Sequence, residues 1–184
     1  MKYPTILVCL FFSVCFSLSA QEATTAKKPL VGSSGESIVN STANSKNHQT
    51  LLAVMRATDL EELLDQSGPF TVFAPSDRAF ENLSGKSVKD LLDPKNKKEL
   101  KDLLTYHIVA GYISASKILK AMCRGKGKAT FTTVQGDTIT ATMKGIDIIL
   151  TDSFGNKATI VVADSNQKNG VIHEIDSVIL PGKI

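Results

Sequence analysis

Residues 128–163, KATFTTVQGDTITATMKGIDIILTDSFGNKATIVVA, alternate between apolar and polar side chains. That two-residue period is the signature of strands with one buried face. The runs 128–134, 138–143, 146–151 and 157–163 are rich in Thr, Ile and Val, which suit a pleated, half-buried surface. Gln135-Gly136-Asp137, Lys144-Gly145 and Ser153-Phe154-Gly155-Asn156 separate them with turn-forming residues. Four strands joined by such short turns predict an antiparallel meander. Downstream, Asn169-Gly170 opens a further strand over 171–180, closed by Pro181.

Upstream the period changes. Between residues 48 and 66, Leu51, Leu52 and Met55, then Leu60, Leu63 and Leu64, share one helix face, with a break near Asp59. Gly68-Pro69 stops this segment, and Phe70-Thr71-Val72-Phe73-Ala74 reads as a short strand ended by Pro75. Ser76 is placed to cap a turn of helix carrying Ala79 and Phe80. Ser87-Val88-Lys89-Asp90 has capping-box spacing before Leu91 and Leu92. Asp93-Pro94 starts a helix with a cap followed by proline at the first position, and Leu100, Leu103, Leu104 and His107 form its apolar face. Residues 114–122 make another short helix, with Ile118, Leu119 and Met122 directed inward. Helices first and strands last predict the α+β class.

The N-terminus reads as an export address. Lys2 precedes an apolar run from Ile6 to Leu18, followed by Ser19, Ala20 and Gln21. The run is shorter than the roughly 20 residues a membrane span needs. Residues 1–20 are therefore expected to be a secretory signal removed near Ala20. Residues 21–35, small and polar, form a flexible lead, and 36–184 form one domain. The expected location is secreted, periplasmic or extracellular, without membrane insertion of the mature chain. Cleavage would remove Cys9 and Cys15 and leave Cys123 as a lone thiol at a helix end. The formal charge of +3 over 184 residues has none of the concentrated basic face of a nucleic-acid binder.

Chemistry-bearing patterns are sparse. His48, His107 and His173 lie far apart in sequence, with no Cys pair beside them, so no metal or cofactor site is expected. There is no phosphate-cradling glycine loop and no Gly-x-Ser-x-Gly elbow. His107 closes an apolar helix face, and His173 shares a strand face with Val171 and Ile175. Both read as buried, hydrogen-bonded structural histidines. Tyr106 reads as a polar-tipped core residue or a surface contact. Arg124, Lys126 and Lys128 form a basic loop that could attract an anionic surface.

Three stretches, taken together, resemble the fasciclin-like domain family: Gly68-Pro69-Phe70-Thr71-Val72-Phe73-Ala74-Pro75-Ser76-Asp77-Arg78-Ala79-Phe80, Leu104-Thr105-Tyr106-His107-Ile108-Val109-Ala110-Gly111, and Asn169-Gly170-Val171-Ile172-His173-Glu174-Ile175-Asp176-Ser177-Val178-Ile179-Leu180-Pro181. The resemblance implies a wedge-shaped antiparallel β-sandwich decorated with N-terminal and central helices. Phe73, Pro75, His107, Gly170 and His173 would be its structural motif residues. It also implies a secreted, non-enzymatic adhesion module without catalytic residues. Its partner would be a cell-surface or matrix protein or polysaccharide. In animal members the Tyr-His region is implicated in receptor contact, which maps to Tyr106 and His107. With Arg124, Lys126 and Lys128 these are the candidate contact residues. A single domain needs self-association or a second face to bridge two surfaces. The rival reading is a soluble carrier or sensor of a small ligand, which a closed apolar pocket would favour. A hydrolase would instead need His107 or His173 exposed in a cleft beside an acid or hydroxyl.

Overall fold

The computed structural model describes residues 35–83, 90 and 92–182. The export segment, the lead up to residue 34 and the capping box at Ser87 lie outside the described residues. The helical half begins with α1 (Ile38–Asn44), α2 (Gln49–Ala57) and α3 (Leu60–Gln66). The break expected near Asp59 is real, since that residue takes a left-handed φ of 57° between α2 and α3. α1 was not foreseen. Ser37 caps it by accepting from the Asn40 N–H, and Ile38 and Val39 are buried. Next come β1 (Phe70–Pro75) and α4 (Asp77–Glu81), the latter capped by Ser76 as its sequence suggests. Asp93 caps a single 3₁₀ turn, Pro94–Asn96, that leads into α5 (Lys97–Tyr106). β2 (Ile108–Ala110) follows, then α6 (Ala115–Arg124), whose N-cap is Ser114.

The strand half holds β3 (Lys128–Thr132), β4 (Thr138–Lys144), β5 (Asp147–Thr151), β6 (Lys157–Gln167) and β7 (Gly170–Ile175). β3 to β7 form the expected antiparallel meander. Two of its elements differ from the sequence reading. β6 runs on through Asp164-Ser165-Asn166-Gln167, because register shifts after Ile160 and Val162 absorb the polar residues, with Asp164 at φ 61°. β7 ends at Ile175, five residues early. The chain beyond it is held by side chains, the Ile179 and Leu180 N–H groups donating to His107 and Asp152.

The larger correction concerns topology. The seven strands form one order, β2-β1-β7-β6-β5-β4-β3, and β1 pairs parallel with β7 from Phe70–Gly170 to Pro75–Ile175. A parallel pair needs a long crossover, and here everything from α4 to β6 provides it. An antiparallel bridge between Val109 and Thr133 brings β2 back to the chain just after β3. The sheet therefore curls toward a barrel, and the expectation of a wholly antiparallel sandwich gives way to a nearly closed mixed sheet.

Strand alternation divides the core. Val72, Ala74 and Ile172 face the helices, packing with Leu51, Met55, Leu64, Leu100 and Leu104. Phe73 and Ile175 face into the curl, with Tyr106, Ile118, Met122, Ile139 and Leu150. Leu63 and Leu119, assigned inward from sequence, are 43% and 40% exposed. Each adjoins a fully buried residue, Leu64 and Ile118 respectively, and one helical step of about 100° carries it off the buried stripe.

Candidate functional site

His107 sits where α5 meets β2. Its Nδ1–H donates to the Leu103 carbonyl at 2.8 Å, and its Nε2 accepts from the Ile179 N–H at 3.3 Å. That pair of partners defines a neutral ring. Burial pushes its pKa down to about 4, against the Leu103 hydrogen bond and the Asp152 charge. His173 is engaged in the opposite tautomer. Its Nε2–H donates to the Ile113 carbonyl at 2.8 Å, and its Nδ1 accepts from the Asp164 N–H at 3.2 Å. Burial lowers its pKa also, and its ring stacks on Phe73 at 5.7 Å between centroids. Tyr106 is fully buried and donates to the Thr138 carbonyl at 3.0 Å. Burial, reinforced by the Asp152 carboxylate, raises its pKa to about 12. Tyr106 is thus a polar-tipped core residue. In this fold neither it nor His107 is exposed to a partner.

The buried histidines predict acid lability. The unfolded chain takes up a proton near pH 6.5, whereas folded His107 resists until about 4. Its contribution is therefore complete above pH 6.5 and is lost as pH falls through that window, by about 3 kcal/mol in all. His173 and His48 are shifted in the same direction. Unfolding free energies from urea titration at about pH 7 and about pH 4.5 should differ by an amount of this order, and His107→Gln should flatten the difference. Equal slopes in the two proteins would remove His107 from the account.

Arg124, Lys126 and Lys128 are exposed on the turn from α6 to β3. The turn is tight: Gly127 N–H donates to the Met122 carbonyl and Lys128 N–H to that of Gly125. A Cβ on Gly125 would lie 1.9 Å from the Lys128 carbonyl oxygen. The backbone therefore presents these three charges on an ordered turn, with Cys123 exposed beside them. Among the described residues no group of three metal-ligating side chains converges, and no helix is long and apolar enough to cross a membrane.

Three residues matter that sequence reading passed over. Asn169 joins distant elements: its Oδ1 accepts from the Ile38 N–H at the start of α1, and its Nδ2 donates to the Leu64 carbonyl in α3. Buried Asp152 accepts from the Phe154, Asn156 and Leu180 N–H groups and from the Asn156 amide. His48 lies beneath a surface depression of about 380 Å³ lined by Lys46, Asn47, Ser76, Asp77, Arg78 and Glu174. The Asp77 carboxylate there accepts from the Gln49 and Thr50 N–H groups, capping α2. Burial opposes its ionisation, but these hydrogen bonds outweigh it and leave the pKa lowered. The sequence shows each of these residues as an isolated polar side chain, and only their long-range partners give them roles.

The family model described as "Fasciclin domain" matches residues 46–181, an interval that contains all three motif stretches. "Protein sll1483" of Synechocystis sp. is 38% identical over 166 residues, covering 88% of this chain and 85% of that protein. Transforming growth factor-beta-induced protein ig-h3 of Sus scrofa is 32% identical over 134 residues, covering 72% of this chain but only 18% of its own length. Among solved structures, a FAS1 domain pair from the insect cell adhesion molecule Fasciclin I superposes with a TM-score of 0.54 at 22% identity. That match covers 71% of this chain and 44% of the pair, and it shows the shared fold. Family match, relatives and architecture agree: this chain belongs to the fasciclin domain family.

Proposed function

We propose that the protein is a non-enzymatic binding module that acts outside the cytoplasm, in cell-surface or matrix adhesion. It would recognise a protein or polysaccharide by surface complementarity, with no covalent step. The observation that carries this reading is the engagement of the motif side chains. The ring nitrogens of His107 and His173 and the Tyr106 hydroxyl all have hydrogen-bond partners inside the fold. Side chains so bound hold the scaffold, and recognition is left to the exposed surface. The likeness to an insect cell adhesion molecule points the same way, and the signal-like residues 1–20 support export.

The reading is tested by screening the protein on glycan and matrix-protein arrays, with its oligomeric state measured by light scattering. Saturable binding by a dimer or larger assembly is the expected result, since a bridge needs two attachment points. A clean monomer that binds neither array would overturn adhesion and move the small-ligand carrier to first place.

A further inference from the structure

We propose that the depression at the carboxyl ends of β1 and β7 is a binding site for one uronate unit of an acidic polysaccharide. The inference rests on the binding-module reading above and names its ligand. The depression lies where the parallel pair β1 and β7 ends. Ser76, Asp77 and Arg78 continue from β1, and Glu174 sits on β7 opposite Ala74. Lys46 and Asn47, from the loop between α1 and α2, form the remaining wall. That wall is fixed, because Asp77 N–H donates to the Asn47 carbonyl at 2.8 Å while its carboxylate caps α2.

The capping leaves Asp77 little capacity for a ligand, so the available groups are Lys46, Arg78, Asn47, Ser76 and Glu174. The Lys46 and Arg78 side chains are exposed and have no ion pair or side-chain hydrogen bond among the described residues. Glu174, 20% exposed, is backed by His48, whose Nε2 stands 3.7 Å from its Oε2. His48 is only 9% exposed, and its Nε2 has no hydrogen-bond partner among the described residues. Ser45 Oγ, which accepts from the Asn47 N–H, also pairs with His48 Nδ1 at 2.8 Å, as donor or acceptor according to the ring tautomer. The nearest charged atom to Nε2 is a carboxylate oxygen, which can only accept, and that favours the tautomer with its hydrogen on Nε2. A buried donor behind a carboxylate that lines an open depression holds that carboxylate in place as an acceptor.

A cation pair recognises a carboxylate, Arg78 in bidentate fashion. A fixed carboxylate beside an amide and a hydroxyl suits neighbouring sugar hydroxyls. A uronate carries both features on one ring, and a cavity of about 380 Å³ is near the lower limit for ligand sites. A neutral sugar would leave the cations unmatched. An inorganic anion would meet the cations but bring no donor to the Glu174 and Asp77 carboxylates that share the depression, whereas the sugar hydroxyls of a uronate can donate to Glu174.

Calorimetric titration of the protein with trigalacturonate tests this, with maltotriose as the neutral control. Saturable binding of the acidic trimer alone is expected. Arg78→Ala and Lys46→Ala should each weaken it by about tenfold, and Lys144→Ala, on β4, should leave it unchanged. The altered side chains are exposed, and matching melting curves will show that the variants fold. Absence of binding, equal binding of maltotriose, or equal weakening by Lys144→Ala overturns the site. Competition by an acidic peptide in place of the sugar overturns the ligand class. Array binding that survives Arg78→Ala sinks this site and leaves adhesion standing; silent arrays with trigalacturonate held at Arg78 do the reverse.

Discussion

Gly170→Ala is expected to leave the protein without a stable fold at room temperature. Gly170 faces Phe70 at the start of the parallel β1–β7 ladder, and a Cβ there would lie 2.0 Å from the Phe70 carbonyl oxygen and 2.9 Å from Ile38 Cδ1. No rotamer relieves a clash made by Cβ itself with backbone, so β1 and β7 would have to separate. That movement would also disturb the Phe70 N–H to Asn169 carbonyl bond and the start of α1, which Asn169 holds. A loss of about 4 kcal/mol or more is expected, close to the whole stability of a marginal domain. Gly136→Ala is the control. Its position has φ 107° but open space around the added atom, so it should cost only backbone strain, on the order of 1 kcal/mol. Urea unfolding of both variants checks the contrast. A Gly170→Ala protein with near-normal stability would contradict the close approach of β1 and β7.

His173→Leu is the second large effect. Leucine fills much of the volume but leaves two half-buried backbone groups, the Asp164 N–H and the Ile113 carbonyl, without their ring partners. Each unsatisfied group costs about 1–3 kcal/mol, and the stacking on Phe73 is lost as well. A total near 3 kcal/mol is expected by denaturant titration, with ligand binding retained in whatever fraction stays folded. His173→Gln, which keeps a donor and an acceptor, should recover part of the loss. Normal stability with binding abolished would make His173 a recognition residue instead.

Much of this fold was legible in the sequence because local chemistry encodes it. The alternation from Lys128 onward placed β3, β4 and β5 to within two residues at each boundary, since Gly-containing turns punctuate it. Ser76 and Asp93 are caps in the structure as they are in the sequence. Elements whose residues argue against their state were harder to read. Asp164 to Gln167 look like a turn but extend β6 through a bulge, because Gln167 and its neighbours find ladder partners on β7. α1 is short and carries Asn, Ser and Thr, so its pattern is weak without its anchor at Asn169. The candidate site was less visible still. Lys46, Arg78 and Glu174 are common surface charges, and nothing local marks their convergence.

The sequence by itself determined the types of most elements, though not of α1 or β2, the buried faces of α2, α5 and β7, the inward placement of His107 and His173, and the resemblance to fasciclin domains. Each follows from periodicity, turn chemistry or short motifs, which act over a few residues. The tertiary structure alone decided that β1 runs parallel to β7, that Val109 and Thr133 draw the sheet toward closure, and that Lys46, Arg78 and Glu174 share one depression. Those outcomes depend on which distant strands pair and in what register, and that is settled by packing two cores on opposite faces of one curled sheet.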